Sequence, residues 1–271
     1  MNADGSGLHR ISNGFGRTTC GYFYYNDQRV LYSSTSASGK ECPPPPDHSQ
    51  GYVWPLSALE IYTSKPDGSD LRQLTHDGTY NAESTLSPDG KRIIFTSTRD
   101  GDLELYTMNI DGSDVHRITH RMGYDGGAFF SPDGKHIVWR AGYPTTAADT
   151  ADYLKLLGQR LVRPSHVELW TADADGGNAR QITHLGGANF APYYLPDGKR
   201  VIFSSNWEDP HSGHFDLYLV NLDGGGLQKV TTNKEFDGFP MFSPDGRKLV
   251  WASNRHEGVP GIDLFIADWV E

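Results

Sequence analysis

The sequence predicts an all-β fold, a β-propeller of four-stranded blades, and three observations predict it. A tight-turn motif recurs as Ser87-Pro88-Asp89-Gly90, Ser131-Pro132-Asp133-Gly134, Leu195-Pro196-Asp197-Gly198 and Ser243-Pro244-Asp245-Gly246, with a degenerate copy at Tyr24-Tyr25-Asn26-Asp27. An Asp-Gly turn keeps step with it, at Asp4-Gly5, Asp67-Gly68, Asp111-Gly112, Asp175-Gly176 and Asp223-Gly224. The first motif begins at 24, 87, 131, 195 and 243, so the intervals are 63, 44, 64 and 48 residues. A unit near 44 residues, lengthened in two copies, is the signature of propeller blades.

Each element has its own reason. In the Ser-Pro-Asp-Gly turn, Pro presets φ, Asp bonds its own backbone and Gly supplies the positive φ of a reversal. The apolar runs that follow, such as Ile93-Ile94-Phe95, Val201-Ile202-Phe203 and Leu249-Val250-Trp251, read as strands buried on both faces. After each Asp-Gly turn a short segment, for example Leu71–Thr75 or Val115–Thr119, completes the blade. Counting strands of each kind gives five blades.

The two ends are expected to meet. Met1–Gly7 aligns with Met108–Asp114, the end of a third strand and its turn, while Asp263–Trp269 reads as a third strand with no fourth after it. Pairing Leu8–Ile11 with Leu264–Ala267 would seal the ring. Met1–Ala3 then duplicates Ala267–Trp269, an overlap that points to a six-bladed parent as the alternative.

Two insertions, residues 33–59 and 141–165, both fall between the second and third strands of a blade. The first carries Pro43–Pro46, a stiff polyproline segment, and Tyr52-Val53-Trp54-Pro55. In the second, Ala147, Ala151, Leu154, Leu157 and Leu161 recur at helical spacing after Pro144-Thr145-Thr146. Gly158 inside that run predicts a short or frayed helix. Intermediate loops at Asn206–His214 and Asn254–Gly258 lie in the same connection. Elaboration on one face marks that face as the working one.

Composition narrows the classes. With 271 residues, 31 Gly, 12% aromatics and a net charge of −10, residues 1–271 read as one large all-β domain. The acidic balance argues against nucleic acid, which demands clustered cations. No apolar run approaches membrane-spanning length. A monomer is expected, because a closed ring leaves no strand edge. Cys20 and Cys42 fall in two loops of one face, and a disulfide between them would contribute roughly 3 kcal/mol by chain entropy in an exported protein.

The repeats resemble the WD40-like repeats of the periplasmic TolB family, also called PD40 repeats, in their S-P-D-G-K-x-I-x-F and D-G-S-x-x-x-x-L-T stretches. The likeness covers nearly all of the chain outside the insertions. It implies a periplasmic or secreted protein, and a propeller used as a binding scaffold, as a non-catalytic gate on a peptidase, or as a lyase.

Repeat symmetry places the candidate site. Six residues before each hairpin motif stand Thr18, Asn81, Asp125, Asn189 and Asp237, and four before it stand Cys20, Glu83, Gly127, Ala191 and Phe239. Asn81, Glu83, Asp125, Asn189 and Asp237 are thus expected around the channel mouth, with Trp54, Trp207 and Tyr143 on the same face. Converging carboxylates and amides call for a cation, water or a polar ligand, unless they merely cap turns. A cation there is the one cofactor the sequence admits. His211 and His214 form a second, sparser metal candidate. Among functions, a non-catalytic propeller holding a peptide, protein or glycan stands first. A carbohydrate-active enzyme using Glu83, Asp125 and Asp237 as catalytic carboxylates is the alternative.

Overall fold

Each Ser-Pro-Asp-Gly copy folds as a hairpin between the innermost and second strands of a blade. In the computed structural model, which describes residues 1–2, 4–24, 27–45, 47, 49–256 and 261–270, Ser87 Oγ donates to Asp89 Oδ1 at 2.6 Å and accepts from Arg92 N at 3.0 Å. The Asp89 carboxylate also accepts from Lys91 N at 3.1 Å. Ser131–Asp133 and Ser243–Asp245 repeat the pattern. Ala3, Tyr25, Asn26, Pro46 and Glu257-Gly258, used in the sequence argument, lie outside the described residues.

Five blades follow in order. The first comprises Thr18–Tyr24, Arg29–Ser34, Glu60–Ser64 and Arg72–Gln73, and the second Asn81–Leu86, Arg92–Ser97, Glu104–Asn109 and His116–Arg117. The third comprises Tyr124–Phe130, His136–Gly142, Glu168–Asp173 and Arg180–Gln181, and the fourth Asn189–Tyr194, Arg200–Ser205, Asp216–Asn221 and Gln228–Lys229. The fifth has three strands among the described residues, Asp237–Phe242, Lys248–Ser253 and Asp263–Asp268. All neighbouring pairs are antiparallel.

Every innermost strand carries a β-bulge at the same repeat position. The registers break between Thr19 and Tyr22, Ala82 and Thr85, Gly126 and Phe129, Phe190 and Tyr193, and Gly238 and Met241. Inside the five bulges Cys20, Glu83, Gly127, Ala191 and Phe239 have φ between 50° and 63°. Such a bulge bends the strand and re-aims its side chains. Four non-glycine residues bear that conformation, each at a local cost.

Blades pack face to face through shared apolar cores. Leu31, Ile61 and Leu74 of the first meet Ile93, Phe95 and Met108 of the second. Ile94 and Leu105 meet Trp139 and Ala172 across the next seam. Val138 and Leu169 then meet Val201 and Phe203, and Ile202 and Leu217 meet Leu249 and Trp251. The Asp-Gly turn explains why the seams are so close: a Cβ on Gly112 would lie 2.5 Å from Leu74 O of the preceding blade.

The expected ring closure is not formed. Leu8–Ile11 makes no strand, and Asp263–Asp268 has no partner on its outer edge among the described residues. The first blade holds the segment instead. His9 Nε2 lies 2.9 Å from Pro66 O, Ile11 packs against Tyr32 and Tyr62, and Ile11 O faces Gly68 as Leu74 O faces Gly112. Leu264 and Ile266 remain 62% and 51% exposed.

The disulfide is absent as well. Cys20 and Cys42 are both free and exposed. Cys20 belongs to the innermost strand rather than to the loop before it. Cys42 sits in a loop tied to the Gly14–Arg17 region, where Gly16 N donates to Lys40 O and Arg17 Nη2 to Pro43 O.

The insertions meet each other. Trp54–Pro55 of the first pairs antiparallel with Leu161–Val162 of the second. The helix spans Ala147–Gly158, with Thr146 as N-cap in a capping box closed by Asp149. It ends at Gly158, so Leu161 lies in a strand and not on the helix. Leu156 is its buried residue, whereas Leu154 is exposed.

Candidate functional site

Four of the residues that repeat symmetry singles out stand at equivalent places in their blades, with their side chains buried. Asn81, Asn189 and Asp237 open their innermost strands, Asp125 is the second residue of its own, and all four are fully buried. Asn81 Oδ1 accepts from Ser97 Oγ at 2.7 Å, and its Nδ2 donates to Asp77 Oδ1 at 2.7 Å and to Glu60 Oε2 at 3.3 Å. Asn189 repeats this, accepting from Ser205 Oγ at 2.6 Å and donating to Glu168 Oε2 at 3.1 Å. Glu60 and Glu168 belong to the preceding blade. The two asparagines therefore latch blade to blade.

The two aspartates use a different partner set. Asp125 Oδ1 accepts from Trp139 Nε1 and from Tyr143 OH, both at 2.6 Å. Asp237 accepts from Trp251 Nε1 at 3.2 Å, from Arg255 Nη2 at 2.7 and 2.8 Å, and from Asn233. An Asn thus goes with Phe95 or Phe203 on the second strand, and an Asp with Trp139 or Trp251, whose indole N–H supplies the donor. Burial without such donors would cost several kcal/mol. Each of the four side chains is thus bonded to neighbours in its own blade, in the turn before it or in the preceding blade.

Glu83 is the exception, because its side chain crosses a seam near the axis. It is ion-paired with the buried Arg140 of the third blade and accepts from Thr96 Oγ1 at 3.0 Å. Arg140 also bonds Tyr124 OH, and its guanidinium lies 5.3 Å from the Tyr124 ring and 5.4 Å from the Trp54 ring. Trp54, from the first insertion, donates to Tyr52 OH at 2.9 Å and closes this cluster from above. Sequence reasoning missed Arg140. The signal was present, since Thr96, Ser204 and Ala252 stand at the equivalent position and only here does a long cation replace a small residue. The complementary change is Gly127, where the other bulges carry a side chain.

The remaining candidates lie apart. Trp207 packs edge-on against Tyr218 in the core between the third and fourth blades, 6.4 Å between ring centroids. His211 and His214 are exposed, and no group of three or more metal-ligating side chains occurs among the described residues. Neither the histidine pair nor the channel-mouth cation is supported by the arrangement. Of the three carboxylates proposed for catalysis, Glu83 and Asp237 are neutralised by arginines and Asp125 is buried. Burial raises the Asp125 carboxyl to about 7 against the hydrogen bonds from Tyr143 and Trp139.

A cavity opens on the hairpin face, opposite the insertions. A funnel of about 650 Å³ is lined from all five blades, by Tyr22, Leu86, Phe129, Tyr193 and Phe242 among others, with Pro88, Pro132 and Pro196 at its rim. Its floor is a belt of rings. Phe129 lies 5.1 Å from Tyr193 and 6.4 Å from Tyr22. The lining mixes these rings and prolines with the serines and aspartates of the hairpins, and its volume is in the range of ligand sites.

Comparisons with known proteins agree on the fold. A protein assigned as TolB in Agrobacterium tumefaciens superposes with a TM-score of 0.66 at 20% identity, covering 93% of this chain and 77% of that one. TolB from Acinetobacter baumannii gives 0.60 at 19% identity, covering 89% of this chain and 49% of that one. An oligogalacturonate lyase from Vibrio parahaemolyticus gives 0.56 at 14% identity, covering 91% and 61%. No curated protein matches the chain in sequence. The profile of the TolB beta propeller domain (PD40) matches residues 56–149 and 161–265. Those residues make up most of the molecule, and the chain belongs to the TolB beta propeller domain family.

Proposed function

We propose that this propeller is a non-catalytic binding module that holds an extended segment of a partner protein in the funnel on its hairpin face. One observation carries the reading: every blade contributes to a single aromatic funnel, while the buried carboxylates near the axis are committed to internal donors. Aromatic and proline surfaces supply large contact area at low conformational cost, which suits a peptide. In this reading Asn81, Glu83, Asp125, Asn189, Asp237 and Trp54 are the scaffold behind the funnel rather than its lining. An exported location, periplasmic or secreted, goes with the family resemblance. No helix among the described residues is long and apolar enough to cross a membrane.

A peptide-display screen on the purified protein tests it. Selected peptides should lose affinity about tenfold or more, roughly 1.4 kcal/mol, on Phe129→Ala and on Tyr193→Ala. Phe239→Ser, on the insertion face, should leave affinity unchanged. Affinity that follows Phe239 and ignores Phe129 and Tyr193 would overturn the proposal. The same preparation incubated with oligogalacturonate, with and without a divalent cation, should yield no unsaturated product, and turnover there would favour the lyase reading.

A further inference from the structure

The seam between the second and third blades differs from its neighbours in one chemical respect. At the seams before and after it, an asparagine of the later blade donates to a carboxylate of the earlier one, Asn81 to Glu60 and Asn189 to Glu168. Here the asparagine position is Asp125 and the carboxylate is Glu104. A carboxylate stands where the neighbouring seams have an amide donor. Both side chains are completely buried, and each has one oxygen, Asp125 Oδ2 and Glu104 Oε2, with no hydrogen-bond partner among the described residues.

At the fourth seam Asp237 also follows a carboxylate, Asp216, but two cations are supplied. Arg255 pairs with Asp237 and Lys229 with Asp216 at 2.8 Å. The second seam has one cation, Arg117, bound to Glu104 Oε1 at 2.6 Å. The other groups around Asp125 are Asp102, which adds negative charge, Trp139 and Tyr143, which bond its other oxygen, and Arg121, stacked 4.1 Å from the Tyr143 ring centroid. Asp102 in turn binds Tyr153 of the insertion helix. Two buried carboxyls and one buried-side cation leave room for one proton.

We infer that Asp125 and Glu104 share a single proton across this seam, Asp125 Oδ2–H donating to Glu104 Oε2 where the neighbouring seams use an asparagine amide, so that this seam and the helix tied to it loosen when the proton is lost. Two adjacent carboxyls that cannot both ionise titrate as a pair. The direction agrees with geometry: burial raises the Asp125 carboxyl to about 7 and raises that of Glu104 as well. A raised carboxyl contributes stability that is full below its unfolded value and is lost as pH rises through its folded one. The seam is therefore tight on the acid side of neutrality and strained on the alkaline side.

Infrared titration of the protonated carboxyl band in the intact protein tests the inference directly. One carboxyl should lose its proton near neutrality in the wild type and be missing in Asp125→Asn, a change that installs the side chain the first and third seams already use. Glu104→Gln should lower the Asp125 midpoint by about one unit or more, since the like charge is gone. Hydrogen exchange over residues 143–158, corrected for intrinsic rates, should rise several-fold between about pH 6 and about pH 8.5 in the wild type and stay level in Asp125→Asn. No band titrating above about pH 5.5, or a midpoint unmoved by Glu104→Gln, would overturn proton sharing.

Discussion

The guanidinium of Arg140 occupies the space that a side chain on Gly127 would fill. A Cβ built on Gly127 would lie 1.9 Å from Arg140 Nη1, and Gly127 sits in the bulge with φ of +63°. The long cation reaches Glu83 of the neighbouring blade because its own blade leaves that gap. Size is exchanged between two strands of one blade so that a charge can cross to the next.

Gly127→Ala should therefore act through Arg140 as well as through its own backbone. The left-handed conformation costs about 1 kcal/mol for alanine, and displacing Arg140 leaves Glu83 as a largely buried, unpaired charge, worth roughly 3–5 kcal/mol when one partner is lost. Denaturant unfolding should register a loss of several kcal/mol. Ala191→Gly, at the equivalent bulge with no such cation above it, should stabilise or be neutral. Equal effects at the two sites would show that Arg140 is not what Gly127 accommodates.

Acid tolerance should depend on the hairpin serines. The Ser131 hydroxyl and the Lys135 amide hold the Asp133 carboxyl below its ordinary value, and Asp89 and Asp245 are held down in the same way. A lowered carboxyl contributes stability that is present above its unfolded value and disappears as pH falls through its folded one. Replacing Ser87, Ser131 and Ser243 together with Ala should lower stability most near pH 7, where the full contribution is present, and the variant and wild type should converge as pH falls through the lowered carboxyl values. A loss of the same size at every pH would assign those carboxyls no part in the acid limb.

The thiols should both react. Cys20 and Cys42 are both free, so alkylation of the unfolded protein without reductant followed by mass spectrometry should add two labels per chain; in the folded protein Cys42 should react before Cys20, whose thiol burial pushes up. A single population carrying none, restored to two by reductant, would establish the bond that the structure lacks.

Repetition made most of the fold legible. The hairpin and Asp-Gly motifs carry their turn chemistry locally, so Asp89 and Gly112 could be placed without knowing any distant partner. The placement of Leu8–Ile11 was less accessible, because residues that could pair with Asp263–Asp268 also fit the outer hairpin of the first blade, where Gly68 and Pro66 receive them. Ring symmetry puts Asn81, Asp125, Asn189 and Asp237 at equivalent positions of their blades. It could not tell which way they face, since that depends on Ser97, Trp139, Ser205 and Arg255, each more than a dozen residues away. The hairpin-face funnel escaped notice because aromatic residues before a turn, such as Tyr193-Tyr194, read equally as core.

The short sheet between Trp54–Pro55 and Leu161–Val162 has a consequence for how the molecule comes apart. In an array where each unit touches only its neighbours, opening can begin at any junction and spread one unit at a time. This sheet spans from the first blade to the third and skips the second. The first two junctions can then open only together, as one cooperative block, whereas the fourth and fifth blades have no such strap among the described residues and can peel away singly. Under force or partial denaturation the chain should behave as a fastened amino-terminal trio with a looser carboxy-terminal pair.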